Sequence, residues 1–330
     1  MTVLVTGGAG YIGSHTVRAL RAAGRPVVVL DSLELGHREA VLDAPLVVGD
    51  IADRPLVAQL CEEYGVTQAI HFAAYKSVGE SMQAPGKYWE NNVGKSAALF
   101  ETLATHGVGG VVFSSSCSVY GTPEHVPVAE DAAIRPESVY AETKAIAERV
   151  LGWFDTTHGM RSVSLRYFNA AGASSDSLIG EDWTHSINLV PVVMKAVLGR
   201  TGPVQVFGDD YPTADGTCVR DYIHVDDLAA AHVRALGYLA GGGSTTAVNV
   251  GTGTGSSVLD IIRATERITG LPVPHVRVGR RAGDPVVSYA QPAHALAVLG
   301  WHAKLGLDDI LASAWEWHRT HPDGYAAATA

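Results

Sequence analysis

Short apolar runs and longer stretches of helical periodicity alternate through the first half of the chain. Val3-Leu4-Val5, Val27-Val28-Val29-Leu30, Leu46-Val47-Val48, Ala69-Ile70-His71-Phe72, Val111-Val112-Phe113 and Val163-Ser164-Leu165 have strand length and are apolar with little alternation. That pattern belongs to strands covered on both faces. Between them, residues such as Leu56, Val57, Leu60, Cys61 and Tyr64 recur at helical spacing, in stretches long enough for crossover helices. The alternation predicts an α/β fold built on a doubly wound parallel sheet.

Beyond about residue 173 the rhythm loosens into loop-rich segments over 174–185, 208–216 and 241–243. Ala247-Val248-Asn249-Val250 reads as a strand returning to the first sheet. The expected organisation is a first domain over residues 1–173, with a return segment near 220–250, and a smaller, interleaved α/β domain over 174–330. No internal repeat or low-complexity linker interrupts it.

Composition narrows the function classes. With 330 residues, 47% of them hydrophobic, the chain can bury a large core. A net charge of -10 without a Lys/Arg-rich block argues against a nucleic-acid or acidic-membrane surface. The N-terminus lacks a secretory pattern, and the apolar segment from Leu189 to Leu198 is short and broken by Lys195, so a cytoplasmic protein is expected. Cys61, Cys117 and Cys218 are too scattered for a disulfide framework or metal site and read as reduced thiols. HExxH is absent, and His318 and His321 are expected to be surface residues; no metal is expected.

The chemistry begins where the first strand runs into Thr6-Gly7-Gly8-Ala9-Gly10-Tyr11-Ile12-Gly13 and then a helix. Gly7, Gly10 and Gly13 suit a tight turn, a close approach of backbone to a pyrophosphate, and close helix–strand packing. Asp31, ending the next strand, can accept both hydroxyls of an adenosine ribose and opposes a 2′-phosphate, which favours NAD over NADP. Arg38 is the nearby residue that argues otherwise. In isolation such a turn is weak; between a strand and a helix, with Asp31 in place, it is strong.

Tyr140 and Lys144 are one helical turn apart, and Ile146, Ala147, Val150, Leu151 and Phe154 continue the helical spacing after them. A phenol and an ammonium on one face form a proton-transfer device. An unperturbed tyrosine titrates near ~10, so lowering it by about three units needs roughly 4 kcal/mol of preference for the anion. Lys144 and a positively charged nicotinamide ring are the expected sources.

These motifs together identify a resemblance. TGGAGYIG, the serines Ser114-Ser115-Ser116 before Val119-Tyr120-Gly121, and Tyr140-xxx-Lys144 resemble the extended short-chain dehydrogenase/reductase family, with its Rossmann-type fold. Arg166-Tyr167-Phe168-Asn169, Gly180-Glu181-Asp182, Asn188-Leu189-Val190-Pro191, Phe207-Gly208-Asp209-Asp210-Tyr211-Pro212, Val219-Arg220-Asp221-Tyr222-Ile223-His224-Val225 and His321-Pro322-Asp323-Gly324-Tyr325 are similar to the UDP-glucose 4-epimerases within it.

The resemblance implies Tyr140 as base and acid, Ser116 on the sugar O4, and Lys144 on the nicotinamide ribose. It implies NAD held by the glycine turn with Tyr11 and Ile12, and by Asp31, Asp50, Ile51, Phe72, Ala73, Ala74, Lys76, Asn91 and Phe168. A UDP-sugar would be held by Asn169, Asn188, Leu189, Phe207, Arg220, Arg281 and Asp284, in a homodimer; a four-helix interface using the helices after Asn92 and Tyr140 is our own expectation. Duller readings remain for some: Arg220 paired with Asp221, Phe207 in the core, Asn188 as a helix cap.

Two departures from the family pattern carry expectations. Cys117 and Ser118 follow Ser116, so a 4,6-dehydratase or a decarboxylase of the same family lacks the carboxylates it needs there. A non-catalytic NAD-sensing module would have no use for Ser116, Tyr140 and Lys144 together. Ser288 stands where the family varies between bulky and small residues; a small side chain there leaves volume beside the sugar C2, so N-acetylated UDP-hexosamines are expected to be accepted.

Overall fold

The computed structural model describes residues 2–184, 186–281 and 283–325. The chain lays down β1 (Thr2–Thr6), β2 (Val27–Asp31), β3 (Leu46–Val48), β4 (Val66–His71), β5 (Gly110–Ser114) and β6 (Arg161–Tyr167). After three short strands, β7 (Asn169–Ala171), β8 (Val204–Phe207) and β9 (Val219–His224), β10 (Thr246–Val250) pairs in parallel with β6. The seven-stranded parallel sheet has the order β10-β6-β5-β4-β1-β2-β3. Its direction of winding reverses between β1 and β4, and the crevice at the carboxyl ends of those strands is where open α/β sheets bind ligands.

The uninterrupted apolar runs have a packing reason. Successive residues of a strand face opposite sides, so Leu4, Val28, Ala69, Val111 and Phe113 meet Leu60, Leu99, Leu103 and Leu151 on one face. Val3, Val5, Val29, Ile70, Val112 and Val163 meet Val17, Leu20, Leu228 and Leu236 on the other. Helices on both sides cover the central strands β1, β2, β4 and β5, while Val48 on the edge strand β3 stays exposed. Phe72, expected in β4, lies just past its end, where its amide still bonds to Thr6 O at 2.9 Å. The strand instead starts earlier, because Gln68 is buried with its amide donating to Leu236 O at 3.0 Å.

In the second half, Val190, Val193 and Met194 pack with Val204, Val206, Ile261, Ile262, Ile310 and Leu311 in a core of their own. β9 is its spine, pairing with β7, with β11 (Gly255–Ser257) and with β13 (Val287–Ser288), while β8 pairs with β12 (His275–Val278).

His318 and His321 correct an expectation. Ile310, Leu311, Ala314, Trp317 and His318 form one buried stripe of the helix Leu307–Thr320. His318 stacks on Trp183 at 4.5 Å, and burial pushes its imidazole down to about 3. His321 is half-buried and stacks on Trp317 at 3.9 Å. Among the described residues no helix is long and apolar enough to cross a membrane.

Candidate active site

The glycine turn packs as its spacing requires. Gly7 has φ +72 and would place a Cβ 2.6 Å from Ala73 N, so the turn lies directly against the loop after β4. At Gly13 a Cβ would sit 2.2 Å from Gly7 O, so only glycine lets the helix Tyr11–Ala22 approach the turn. Gly10 caps that helix with no side-chain hydrogen bond. The first-turn amides of a helix have no partners inside it, and here no side chain supplies one, which suits an anion.

Asp31 is buried at the tip of β2, its Oδ2 accepting from Ala9 N and its Oδ1 from Leu33 N, both at 2.9 Å. Each carboxylate oxygen keeps a second lone pair for a ribose hydroxyl. Arg38 is exposed. The turn, the open helix N-terminus and Asp31 fit a dinucleotide. Around them, Ile51 is buried, and Asp50 accepts from Lys95 at 2.5 Å and from Ala52 N. Asn91 sits in a π-helical stretch, Trp89–Lys95, of the kind found at functional sites.

Asn92, to which no motif assigns a role, fixes this region. Its side chain accepts from Tyr75 N at 2.9 Å and donates to Tyr75 O at 3.0 Å and to Thr143 Oγ1 at 3.2 Å. It thereby ties the loop holding Phe72, Ala73, Ala74 and Lys76 to the helix that carries Tyr140 and Lys144. Two adjacent asparagines inside a helical stretch were the available signal.

The helix Val139–His158 starts at Ser138, whose side chain accepts from Ala141 N, and ends at Gly159 in the left-handed region. Tyr140 and Lys144 are both buried on its inner face. The Lys144 ammonium donates to Ser114 O at 2.8 Å and lies 5.9 Å from the centre of the Tyr140 ring. Burial pushes Lys144 down to about 7, with Glu148 acting in the opposite direction. Burial also raises the Tyr140 phenol, while the Ser116 side chain works against that rise.

Without a nicotinamide ring, burial keeps the phenol above its ordinary value. The Lys144 ammonium is bonded to a backbone carbonyl rather than to the phenol. Ser116 Oγ accepts from Ser118 N at 3.2 Å and Ser118 Oγ at 2.9 Å. Phe168 is buried beside Val119, Tyr120 and Ala145.

The residues expected to hold the second ligand fall into two groups. Glu181, buried, accepts from Ser186 Oγ at 2.7 Å and from Asn188 Nδ2 at 3.0 Å, and Lys76 stands 3.7 Å away. Asn188 precedes the helix Leu189–Val197 but makes no side-chain cap. Tyr11 donates to Gly172 O at 2.6 Å, and burial raises its phenol, with Glu181 the next cause.

The second group joins Arg220, Phe207, Arg281, Asp284 and Ser288. Arg281 donates twice to Asp284 (3.0 and 2.9 Å), lies over the Phe207 ring at 5.1 Å, and shares Asp284 with Arg220 at 3.8 Å. Arg220 is not paired with Asp221, whose carboxylate is taken by Thr252, Gly253 and Ala290. Ser288 is in register with Arg220 on β9, and Asn169 with Tyr222. Burial pushes Cys117 up to about 12 against the charge of Arg220, so this group reaches the neighbour of Ser116.

One junction spans the two halves. His37, in the loop after β2, is 2.7 Å from Asp182 and stacks on Tyr325 at 4.8 Å. Tyr325 Oη donates to Gly180 O and accepts from Gly180 N, both at 3.0 Å. The hydrogen bond with Asp182 raises His37, so its contribution is complete below the unfolded histidine value and fades as pH climbs through the raised one.

Sheet order, glycine turn and Tyr140/Lys144 pair define a Rossmann-type dinucleotide-dependent protein. The chain belongs to the NAD dependent epimerase/dehydratase family, whose model matches residues 3–251. It is 44% identical over 327 residues to the UDP-glucose 4-epimerase of Lacticaseibacillus casei, covering 98% of this chain and 99% of that protein. The crystal structure of UDP-glucose-4-epimerase from Stenotrophomonas maltophila, with bound NAD and formylated UDP-arabinopyranose, superposes with a TM-score of 0.95 at 44% identity, covering 98% and 99% of the two chains. That of Bifidobacterium longum UDP-glucose 4-epimerase, in complex with NAD+ and UDP, gives 0.91 at 37% identity, covering 98% and 100%.

Proposed function

We propose that this chain is a UDP-glucose 4-epimerase, interconverting UDP-galactose and UDP-glucose in galactose metabolism by transient oxidation at the sugar C4. One observation carries the reading against the other chemistries of the family. Ser116 is followed by Cys117 and Ser118, and Ser118 is bonded to Ser116, so the positions after the serine carry no carboxylate. Elimination or decarboxylation has no acid or base there; oxidation and return need only the tyrosine.

The glycine turn, the N-terminus of the helix Tyr11–Ala22, Asp31, Phe72 and Lys144 would hold NAD. When bound, NAD supplies the two-electron acceptor and a positively charged ring. Tyr140 takes the proton of the sugar 4-hydroxyl and later gives it back, so it works as base and then as acid. Ser116 orients the sugar O4. Arg220 and Arg281 hold the diphosphate: their guanidinium groups keep donors beyond those used on Asp284, and such forks match phosphate oxygens. Inversion requires the sugar to turn while the nucleotide stays, which places the tight contacts at UDP and the loose ones at the hexose. The division into a cofactor domain over 1–173 and a sugar-nucleotide domain over 174–330 is part of this proposal.

The test is epimerisation of UDP-galactose by purified protein without added NAD. Conversion is expected; no conversion, even with NAD supplied, would favour the sensor reading.

Ser288 extends the proposal to N-acetylated UDP-hexosamines. UDP-GlcNAc should be turned over, and Ser288→Tyr should lower that rate about tenfold or more while changing UDP-glucose turnover by less than about threefold. Absence of UDP-GlcNAc turnover by the unaltered protein refutes the extension.

The proposed assembly is a cytoplasmic homodimer through the helices Ser96–Thr105 and Val139–His158. Trp153, on the second helix, is 69% exposed, a large apolar surface for a side chain that other copies could cover. Sedimentation should show a dimer that Trp153→Glu converts to monomer; a monomeric unaltered protein would exclude it.

A further inference from the structure

Glu148 lies one helical turn beyond Lys144 on the helix Val139–His158, with its side chain only 12% exposed. Its Oε1 accepts the Ser115 hydroxyl at 2.5 Å. Arg166 of β6 grips the same carboxylate, Nε at 3.0 and 3.2 Å and Nη2 at 2.6 Å, and donates through Nη1 to Tyr120 Oη at 2.9 Å. Tyr120 in turn donates to Asn249 Oδ1 of β10 at 2.7 Å. The network crosses three strands' worth of the sheet edge and ends on the middle residue of the serine run.

That position matters because each neighbour of Ser115 has a task. Ser114 O holds the Lys144 ammonium, and the Ser114 hydroxyl pairs with Tyr167 Oη at 2.8 Å. Ser116 faces Tyr140. A shift of Ser115 displaces both.

We infer that Glu148 is a positioning residue of this active site: its bond to Ser115 sets the serine run that holds Lys144 and presents Ser116, and its negative charge supports the Lys144 ammonium. The inference rests on the proposed Tyr140/Lys144 chemistry. Lys144 faces Tyr140 and Glu148 on its own helix, the Phe113 ring at 4.9 Å on β5, and His71 on β4, with Tyr167 of β6 reached through Ser114. His71 is held neutral, pushed down to about 3 by burial and then by Lys144 itself. Lys95 and Lys87, on neighbouring segments, are engaged by Asp50 and Glu80. Glu148 is thus the anion that opposes the dehydration of Lys144, and without it the charge of Arg166 would add to that dehydration.

The sign follows from lysine chemistry. Loss of a nearby anion lowers an ammonium's pKa, so Lys144 gives up its proton at lower pH and the high-pH limb of turnover moves down. In Glu148→Gln the limb should fall by about one pH unit, with kcat reduced about tenfold above it, less than about threefold at pH 6.5, and KM for UDP-glucose little changed. Glu148→Asp, which keeps the charge, should return the limb toward its original position. Glu148→Gln leaves Arg166 buried and unpaired, so Glu148→Gln/Arg166→Met is measured beside it and should show a smaller shift in the same direction.

A limb at its original pH in folded Glu148→Gln, or in the double variant if the single one does not fold, overturns the inference. An equal, pH-independent loss in the Gln and Asp variants also overturns it. If the unaltered protein fails to epimerise, it is the proposed function that falls instead.

Discussion

Tyr140→Phe is expected to lower epimerisation of UDP-galactose by at least 10²-fold, because a positioned proton-transfer group commonly contributes 10² to 10⁴. The substitution removes one oxygen and little else. The backbone amide of Tyr140 still donates to Ser81 Oγ at 3.1 Å, and Ser116 keeps its contacts with Ser118. Ser116 loses its contact with the phenol but is not fully buried, so stability and NAD content should stay close to those of the unaltered protein. Steady-state rates with UDP-galactose, together with the absorbance of released cofactor, decide it. Turnover within about tenfold of the original would remove Tyr140 from the role of essential base. The expected loss is large because Tyr140 is the group placed to take the proton, and Cys117 and Ser118, the residues that follow Ser116, offer no carboxylate to replace it.

Gly13→Ala should be the most damaging single change to cofactor binding. Its Cβ would stand 2.2 Å from Gly7 O and 2.8 Å from Gly8 Cα, backbone atoms that cannot swing aside. The helix must retreat from the turn, carrying away the amides aimed at the pyrophosphate. Purified Gly13→Ala protein should hold less than about a tenth of the usual NAD, a difference of about 1.4 kcal/mol or more in binding, and should melt earlier. Gly10→Ala is the informative contrast. Its Cβ would meet only Gly7 O, at 3.4 Å, so the fold should tolerate it, and any cofactor loss would report the ligand's own approach. Full NAD content in Gly13→Ala would refute this account of the turn.

The sheet was legible because its strands are covered on both sides, which writes them into the sequence as Val3-Leu4-Val5 and Val27-Val28-Val29-Leu30 with no polar gap. The glycine turn and Asp31 were legible because φ and contact distance leave glycine little competition at Gly7 and Gly13. Less legible were residues whose role depends on a distant partner. Glu148 reads as an ordinary helix position until Arg166 and Ser115 arrive from other strands, and Asn92 until Tyr75 and Thr143 do. The burial of His318 is not legible because a polar residue near a helix end usually meets water, whereas Trp183 comes from far along the chain to cover it. The electrostatics were least legible. Spacing places Lys144 near Tyr140, but how dry the site is depends on Phe113, Tyr167 and the packed sheet above them.

The contact of His37 with Asp182 and Tyr325 bears on how each molecule keeps its oxidation state. The loop that follows Asp31 is fastened to the segment around Gly180, so on the proposed reading the adenosine end of a bound NAD would lie beside a joint between the two halves. Under the proposed function, in which NAD stays bound through the cycle, the molecules would not share a common pool of oxidised and reduced cofactor. Each copy would then carry a private redox history, and one left reduced by an early escape of its sugar would stay idle until a keto-sugar returned to it. The activity of a preparation is then a census of molecules, some competent and some stranded, rather than a property of the average one.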